Sequence, residues 1–175
     1  MILKNYYTNL SAEILSVAQS NGDSSSLRRQ LYFTRADKLE KNLNTDDLKK
    51  TFWINIYYAY FLILKKENVN QDRIKTFKRI RIAGTAISLN DIEFGILKKS
   101  TLRVGTIHFE NPFYSKFVKK MSISEMDYRI HFVIQSITLK KILFNFYDID
   151  LLHEQLQETM KHFISQKIIK VPSFK

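Results

Sequence analysis

Thr51-Phe52-Trp53-Ile54-Asn55-Ile56-Tyr57-Tyr58-Ala59-Tyr60-Phe61-Leu62-Ile63-Leu64 is the most apolar stretch of this 175-residue chain. From Phe52 to Leu64 only Asn55 interrupts it, and it falls well short of the ~20 residues a membrane-spanning helix needs. A segment that is apolar nearly all round has no face to give to water, so it predicts a helix in the middle of the fold. Thr45 supplies a capping oxygen, and Asp46 and Asp47 place negative charge where the exposed amides of a helix start attract it. The central helix is expected from there to about Lys66.

Other elements are read outward from that helix. Toward the N-terminus, Leu10, Ile14 and Val17 fall at helical spacing after Asn9 or Ser11 as a cap, and Asn21-Gly22-Asp23 turns the chain. Ser24 to Ser26 cap a second helix carrying Leu27 and Leu31, and Leu39 and Leu43 continue at helical spacing after a break near Phe33-Thr34.

Toward the C-terminus, Arg79 to Ser88 alternates about Gly84, the mark of a tight hairpin. Ser88 and Asp91 then form a capping box for a helix through Leu89, Ile92, Ile96 and Leu97, ending by Ser100. Pro112 opens a short helix through Phe113, Phe117 and Val118. Alternation predicts a strand from Tyr128 to Gln135. Asp148 or Asp150 caps a last helix bearing Leu152, Leu156, Met160 and Phe163, followed by a short strand near Ile168 to Val171. The expected architecture is α+β: one helix-rich domain over residues 1–175, with a small, largely antiparallel sheet and a central buried helix.

Composition agrees with a compact chain. Hydrophobic residues make 45% and aromatics 13%, with 13 Phe and 9 Tyr against 4 Gly and 2 Pro, enough to offset the entropy of ordering. Zero cysteines exclude disulfides, thiolate catalysis and cysteine-ligated zinc, and fit a reducing compartment. Met1 to Tyr7 shows no extended apolar core and no small-residue cleavage site, so no signal peptide and a cytoplasmic location are expected. The 28 Lys and Arg against 17 Asp and Glu give a formal charge of +11, which attracts polyanions. Plain solubility and a coding bias toward adenine and thymine, which enriches Lys, Ile, Asn and Phe together, would produce the same excess.

Three segments together resemble the domain-of-unknown-function family 547. Thr51 to Tyr57 is similar to its F-W-I-N-x-Y-N helix. Gly84 through Leu97, with Ser88-Leu89-Asn90-Asp91-Ile92-Glu93, is similar to its G-x-x-x-S-L-x-D-I-E-H-x-I-L hairpin and helix. Asp127 to Phe132 is similar to its D-x-R-I-H-F strand, and Gln155-Leu156 agrees in the last helix. The resemblance implies a scaffold and no assigned reaction. Its departures are local: Tyr58 stands at the second Asn and Phe94 at the His after I-E. The segment Gln135-Ser136-Ile137-Thr138-Leu139-Lys140-Lys141-Ile142 stands where the family has N-C-G-A-x-S-C-P. Similar proteins also continue past the segment corresponding to Val171-Pro172-Ser173-Phe174, so the resemblance implies a shortened C-terminus.

Several polar residues are site candidates. Glu93 points toward the apolar face of its helix, where a carboxylate needs a partner; it is either an acid–base group or half of a buried ion pair with a cation such as Arg129. Asn55 is either a structural brace or an oxyanion-type donor. On the expected strand, Arg129, His131 and Gln135 share one face. Ser136, at the position of the family's first Cys, is a weak candidate nucleophile, because alternation turns it away from His131. Lys78, Arg79, Arg81, Lys98 and Lys99 are candidate anion contacts, without any nucleic-acid-binding motif beside them. His108, His153 and His162 are too dispersed or too exposed for a metal site, and no cofactor is expected.

Three function classes follow. The first is a non-catalytic scaffold that acts through binding or protein interaction. The second is a hydrolase-like enzyme with Glu93, Arg129 and His131 converging on one cleft. The third is a nonspecific polyanion or nucleic-acid binder.

Overall fold

The computed structural model describes residues 5–67, 73–99, 101–104, 107–110 and 113–168; for 101–104, 107–110 and 167–168 only the backbone is described. Helix α4, Asp46–Lys66, is the centre: Phe52, Trp53, Ile54, Asn55, Ile56, Tyr57 and Ala59 are fully shielded from solvent. Its start is built as expected, with Thr45 Oγ1 accepting from the Leu48 amide at 3.2 Å. Asp46 in the first turn accepts from the amides of Ser124 and Glu125 at 2.9 and 3.0 Å, which anchors a distant loop to the helix end.

Helix α1, Tyr6–Gln19, packs along α4 and buries Tyr7, Leu10, Ile14 and Leu15 against it. It starts earlier than the Asn9 or Ser11 reading: the side chain of Asn5 accepts from the Tyr7 and Thr8 amides, so the cap is Asn5. Helices α2, Ser25–Phe33, and α3, Ala36–Asn42, are separated by the expected break. Ser24 makes no side-chain cap; Asp23 does that work, accepting from the Ser25 amide at 2.9 Å.

Strands β1, Ile80–Ile82, and β2, Thr85–Ile87, form the expected antiparallel hairpin. Both turn residues have positive φ, 51° at Ala83 and 70° at Gly84, as a primed two-residue turn requires. The amides of Ala83 and Gly84 donate to the carbonyls of Leu31 and Tyr32 at 2.9 Å, so the turn also closes the end of α2.

The Ser88–Asp91 capping box is present in full: Ser88 N and Oγ donate to Asp91 at 2.8 and 2.9 Å, and Asp91 N donates back to Ser88 Oγ at 3.1 Å. The helix it starts is π-helical over Asp91–Leu97. A second antiparallel hairpin follows, β3, Thr101–Val104, with β4, Ile107–Glu110. The short helix after Pro112 is α5, Lys116–Met121, capped by Ser115, so Phe113 lies ahead of it.

The expected strand from Tyr128 is instead helix α6, Arg129–Thr138. Ile130, Val133, Ile134 and Ile137 are all buried, the three- and four-residue spacing of one helical face. The last helix, α7, is Leu152–Ile168, approached through an Asx turn in which Asp148 accepts from the Asp150 amide at 3.0 Å. Ile168 ends that helix, and the rest of the strand expected near Ile168 to Val171 lies outside the described residues. The architecture is helix-rich α+β with small antiparallel hairpins, and one contiguous apolar cluster spans α1 through α7. Among the described residues no helix is long and apolar enough to cross a membrane.

Candidate functional site

Charged groups at three helix starts close into a ring. Asp47 and Lys50 come from the first turns of α4, Asp127 and Arg129 from the start of α6, and His153 from the start of α7. Arg129 holds Asp127 through two donors, Nε at 2.9 Å and Nη2 at 2.8 Å. Lys50 Nζ lies 3.4 Å from both Asp127 and Asp47. His153 completes the circuit, with Nδ1 at 3.0 Å from Arg129 Nη2 and Nε2 at 3.0 Å from Asp47 Oδ2. A guanidinium can only donate, so Nδ1 is the acceptor and the proton sits on Nε2, donated to Asp47.

Desolvation works against ionising Asp127, but the hydrogen bonds and charge of Arg129 outweigh it and hold the carboxyl below its ordinary range. The same contacts raise Arg129. The ring is a clasp joining α4, α6 and α7, and its two inner members, Lys50 and Asp127, have side chains only 9% exposed.

Glu93 forms a separate cluster. It is 3% exposed, and its carboxylate meets Lys98 Nζ at 2.6 Å, Lys75 Nζ at 3.5 Å and the Tyr57 hydroxyl at 3.4 Å. Arg129, the cation expected from the sequence, is engaged elsewhere. The π winding accounts for the partner: it advances five residues per hydrogen-bonded turn and brings Lys98 back over Glu93, where an α-helix would turn it away. Burial, followed by the charge of Glu93, pushes the Tyr57 hydroxyl well above its usual range, so it stays a neutral donor.

Asn55 is wholly buried and bonds to the backbone of Tyr147 in both directions, Nδ2 to the carbonyl at 2.9 Å and Oδ1 from the amide at 2.8 Å. Ser136 is 3% exposed and spends its hydroxyl proton on the Val133 carbonyl at 2.8 Å. His131 is exposed on α6 and meets Phe132 edge to face. The shared face expected for Arg129, His131 and Gln135 rested on strand alternation; on the helix His131 and Gln135, four residues apart, still share a face, and Arg129 is turned away from them.

Of the anion candidates, Lys98 is committed to Glu93, Lys99 Nζ to the Ser124 carbonyl at 2.7 Å, and Arg79 to Glu67 at 3.5 Å. Lys78 and Arg81 are exposed. Among the described residues no group of three acidic or histidine side chains is placed to hold a metal ion.

His153, Asp47 and Lys50 were not singled out as site residues from the sequence. Their signal was position alone, since each stands within the first turns of a helix.

The chain belongs to the family described as protein of unknown function, DUF547, whose model matches residues 40–164. The matched span holds both charge clusters and the Asn55 brace, while α1 and α2 precede it. No curated protein and no solved structure gives a significant match.

Proposed function

We propose that this protein is a non-catalytic member of its family, a single domain that acts as a cytoplasmic binding or interaction scaffold. The observation that carries this reading is the environment of Ser136. At the position corresponding to the family's first cysteine, the chain has a buried hydroxyl that donates to its own helix backbone. Among the described residues no imidazole or carboxylate hydrogen-bonds to it, so it lacks the adjacent base that activates a serine. Glu93, Asn55 and Arg129 support the same reading, because their polar atoms are engaged by the scaffold: Glu93 by Lys98, Lys75 and Tyr57, Asn55 by the Tyr147 backbone, and Arg129 by Asp127 and His153. The absence of cysteine fits the reducing compartment.

The test is hydrolysis of nitrophenyl esters, anilides and phosphates by purified protein. The expected result is no turnover above buffer. Turnover that disappears in His131→Ala would overturn the proposal.

A further inference from the structure

At the far end of α4 from the charged ring, roughly 24 Å along the axis at 1.5 Å per residue, a cleft of about 410 Å³ opens between the α1–α2 turn and the last turns of α4. Its size falls in the range of small-molecule sites. Ala18, Leu62 and Ile63 give it an apolar wall, and Arg28, Lys66, Asp23 and Glu67 bring charge to it.

Those charges are not equally satisfied. Asp23 accepts from the Ser25 amide at 2.9 Å, and its bonds to Ser25 hold it below its usual range. Glu67 is 3.5 Å from Arg79. The two cations hydrogen-bond only neutral groups, and their charges reach Asp23 through space without forming an ion pair with it. Lys66 Nζ donates to the Asn21 carbonyl at 2.8 Å, and Arg28 Nη2 donates to Ser25 Oγ at 3.3 Å. The guanidinium also lies against the Tyr60 hydroxyl, which burial pushes up to about 12 and so keeps uncharged. Arg28 Nε is buried with no hydrogen-bond partner. Neither cation forms an ion pair among the described residues.

A guanidinium and an ammonium that make no ion pair at one cleft, one of them with a buried N–H left unbonded, can take an anion. Asp23 and Glu67 close by penalise a second negative charge, which disfavours phosphate. The apolar wall favours a hydrocarbon tail. We propose that this cleft binds a small organic monocarboxylate with a short apolar chain, its carboxylate held by Arg28 and Lys66. The site goes beyond the non-catalytic reading and does not rest on it: a reaction found elsewhere in the protein would leave it standing.

The test is titration of the full chain, labelled with nitrogen-15, with isovalerate, isovaleramide and inorganic phosphate. Isovalerate is expected to give saturable shifts at the amides of Asn21, Gly22, Ser24 and Arg28, with isovaleramide and phosphate about tenfold weaker or more, the scale of a charge-assisted contact. Arg28→Gln should weaken isovalerate by a similar factor. Lys66→Gln, at an exposed position, provides the same comparison without touching the core. No saturable shift, equal binding of the amide, tighter binding of phosphate, or full binding by both variants would each overturn the proposal.

Discussion

Asn55 and Tyr147, 92 residues apart, exchange two hydrogen bonds, the side-chain amide of one pairing with the backbone amide and carbonyl of the other. The pair is buried, and it ties the connection between α6 and α7 to the central helix. Asn55→Ala would strand a backbone donor and an acceptor away from water, which costs about 2–4 kcal/mol. Asn55→Asp should cost at least as much, because a carboxylate cannot donate to the Tyr147 carbonyl. Urea unfolding measures both.

Lys98 and Lys75 both reach Glu93, but at 2.6 Å against 3.5 Å, with side chains 19% and 33% exposed. Removing the nearer, drier partner leaves the buried carboxylate poorly compensated. Lys98→Met should therefore cost about 3 kcal/mol and Lys75→Met about 1 kcal/mol or less. Equal losses in denaturant unfolding would contradict this ranking.

Gly95 is packed against α5. A Cβ there would lie 2.5 Å from Val118 Cγ1 and 3.0 Å from Tyr114 Cε1, so one of those side chains must move. Gly95→Ala should destabilise by about 1–3 kcal/mol, read as a lowered Tm. Val118→Ala in the same background should recover part of the loss, because it removes the nearest atom.

Acid should loosen the joints at Asp46 and Asp127. For each, desolvation favours the neutral form but is outweighed, by amide and hydroxyl donors from Ser124 and Glu125 at Asp46 and by Arg129 at Asp127. Both therefore titrate below the ordinary aspartate value of 3.8 when folded. The folded form binds fewer protons than the unfolded one, so their contribution is present above that value and is lost as pH falls through the folded one. Asp46→Asn and Asp127→Asn should each be less stable than the parent near neutral pH. The gap should narrow as pH falls below 3.8 toward the depressed folded value, as measured by unfolding across the acid range.

Much of the scaffold was legible because local chemistry and burial agree in it. Thr45 with Asp46, the Ser88–Asp91 box and the Ala83-Gly84 turn each name their own conformation. The α6 segment was misread because Tyr128 to Gln135 satisfies strand alternation. Ile130, Val133, Ile134 and Ile137 satisfy helical spacing too, and only the helical pattern continues beyond Gln135. The second hairpin was not read from the sequence, although Leu102, Val104, Ile107 and Phe109 alternate on either side of Gly105.

The charge partners were less accessible. Nothing in the types of Asp91 to Leu97 announces a π winding, so Lys98 could not be matched to Glu93 by spacing. The ring of Asp47, Lys50, Asp127, Arg129 and His153 is made by three helix ends meeting in space, which sequence distance does not encode.

A π turn holds one more residue than the α turn it replaces. The stretch from Ser88 to Lys98 thus carries a spare residue, and Phe94, half out in solvent, sits where the surplus can be dropped. Deleting it would let the segment rewind as ordinary helix and place Glu93 and Lys98 at the natural four-residue interval. This is the one helical segment described where shortening the chain should be gentler than adding a methyl group to the glycine beside it.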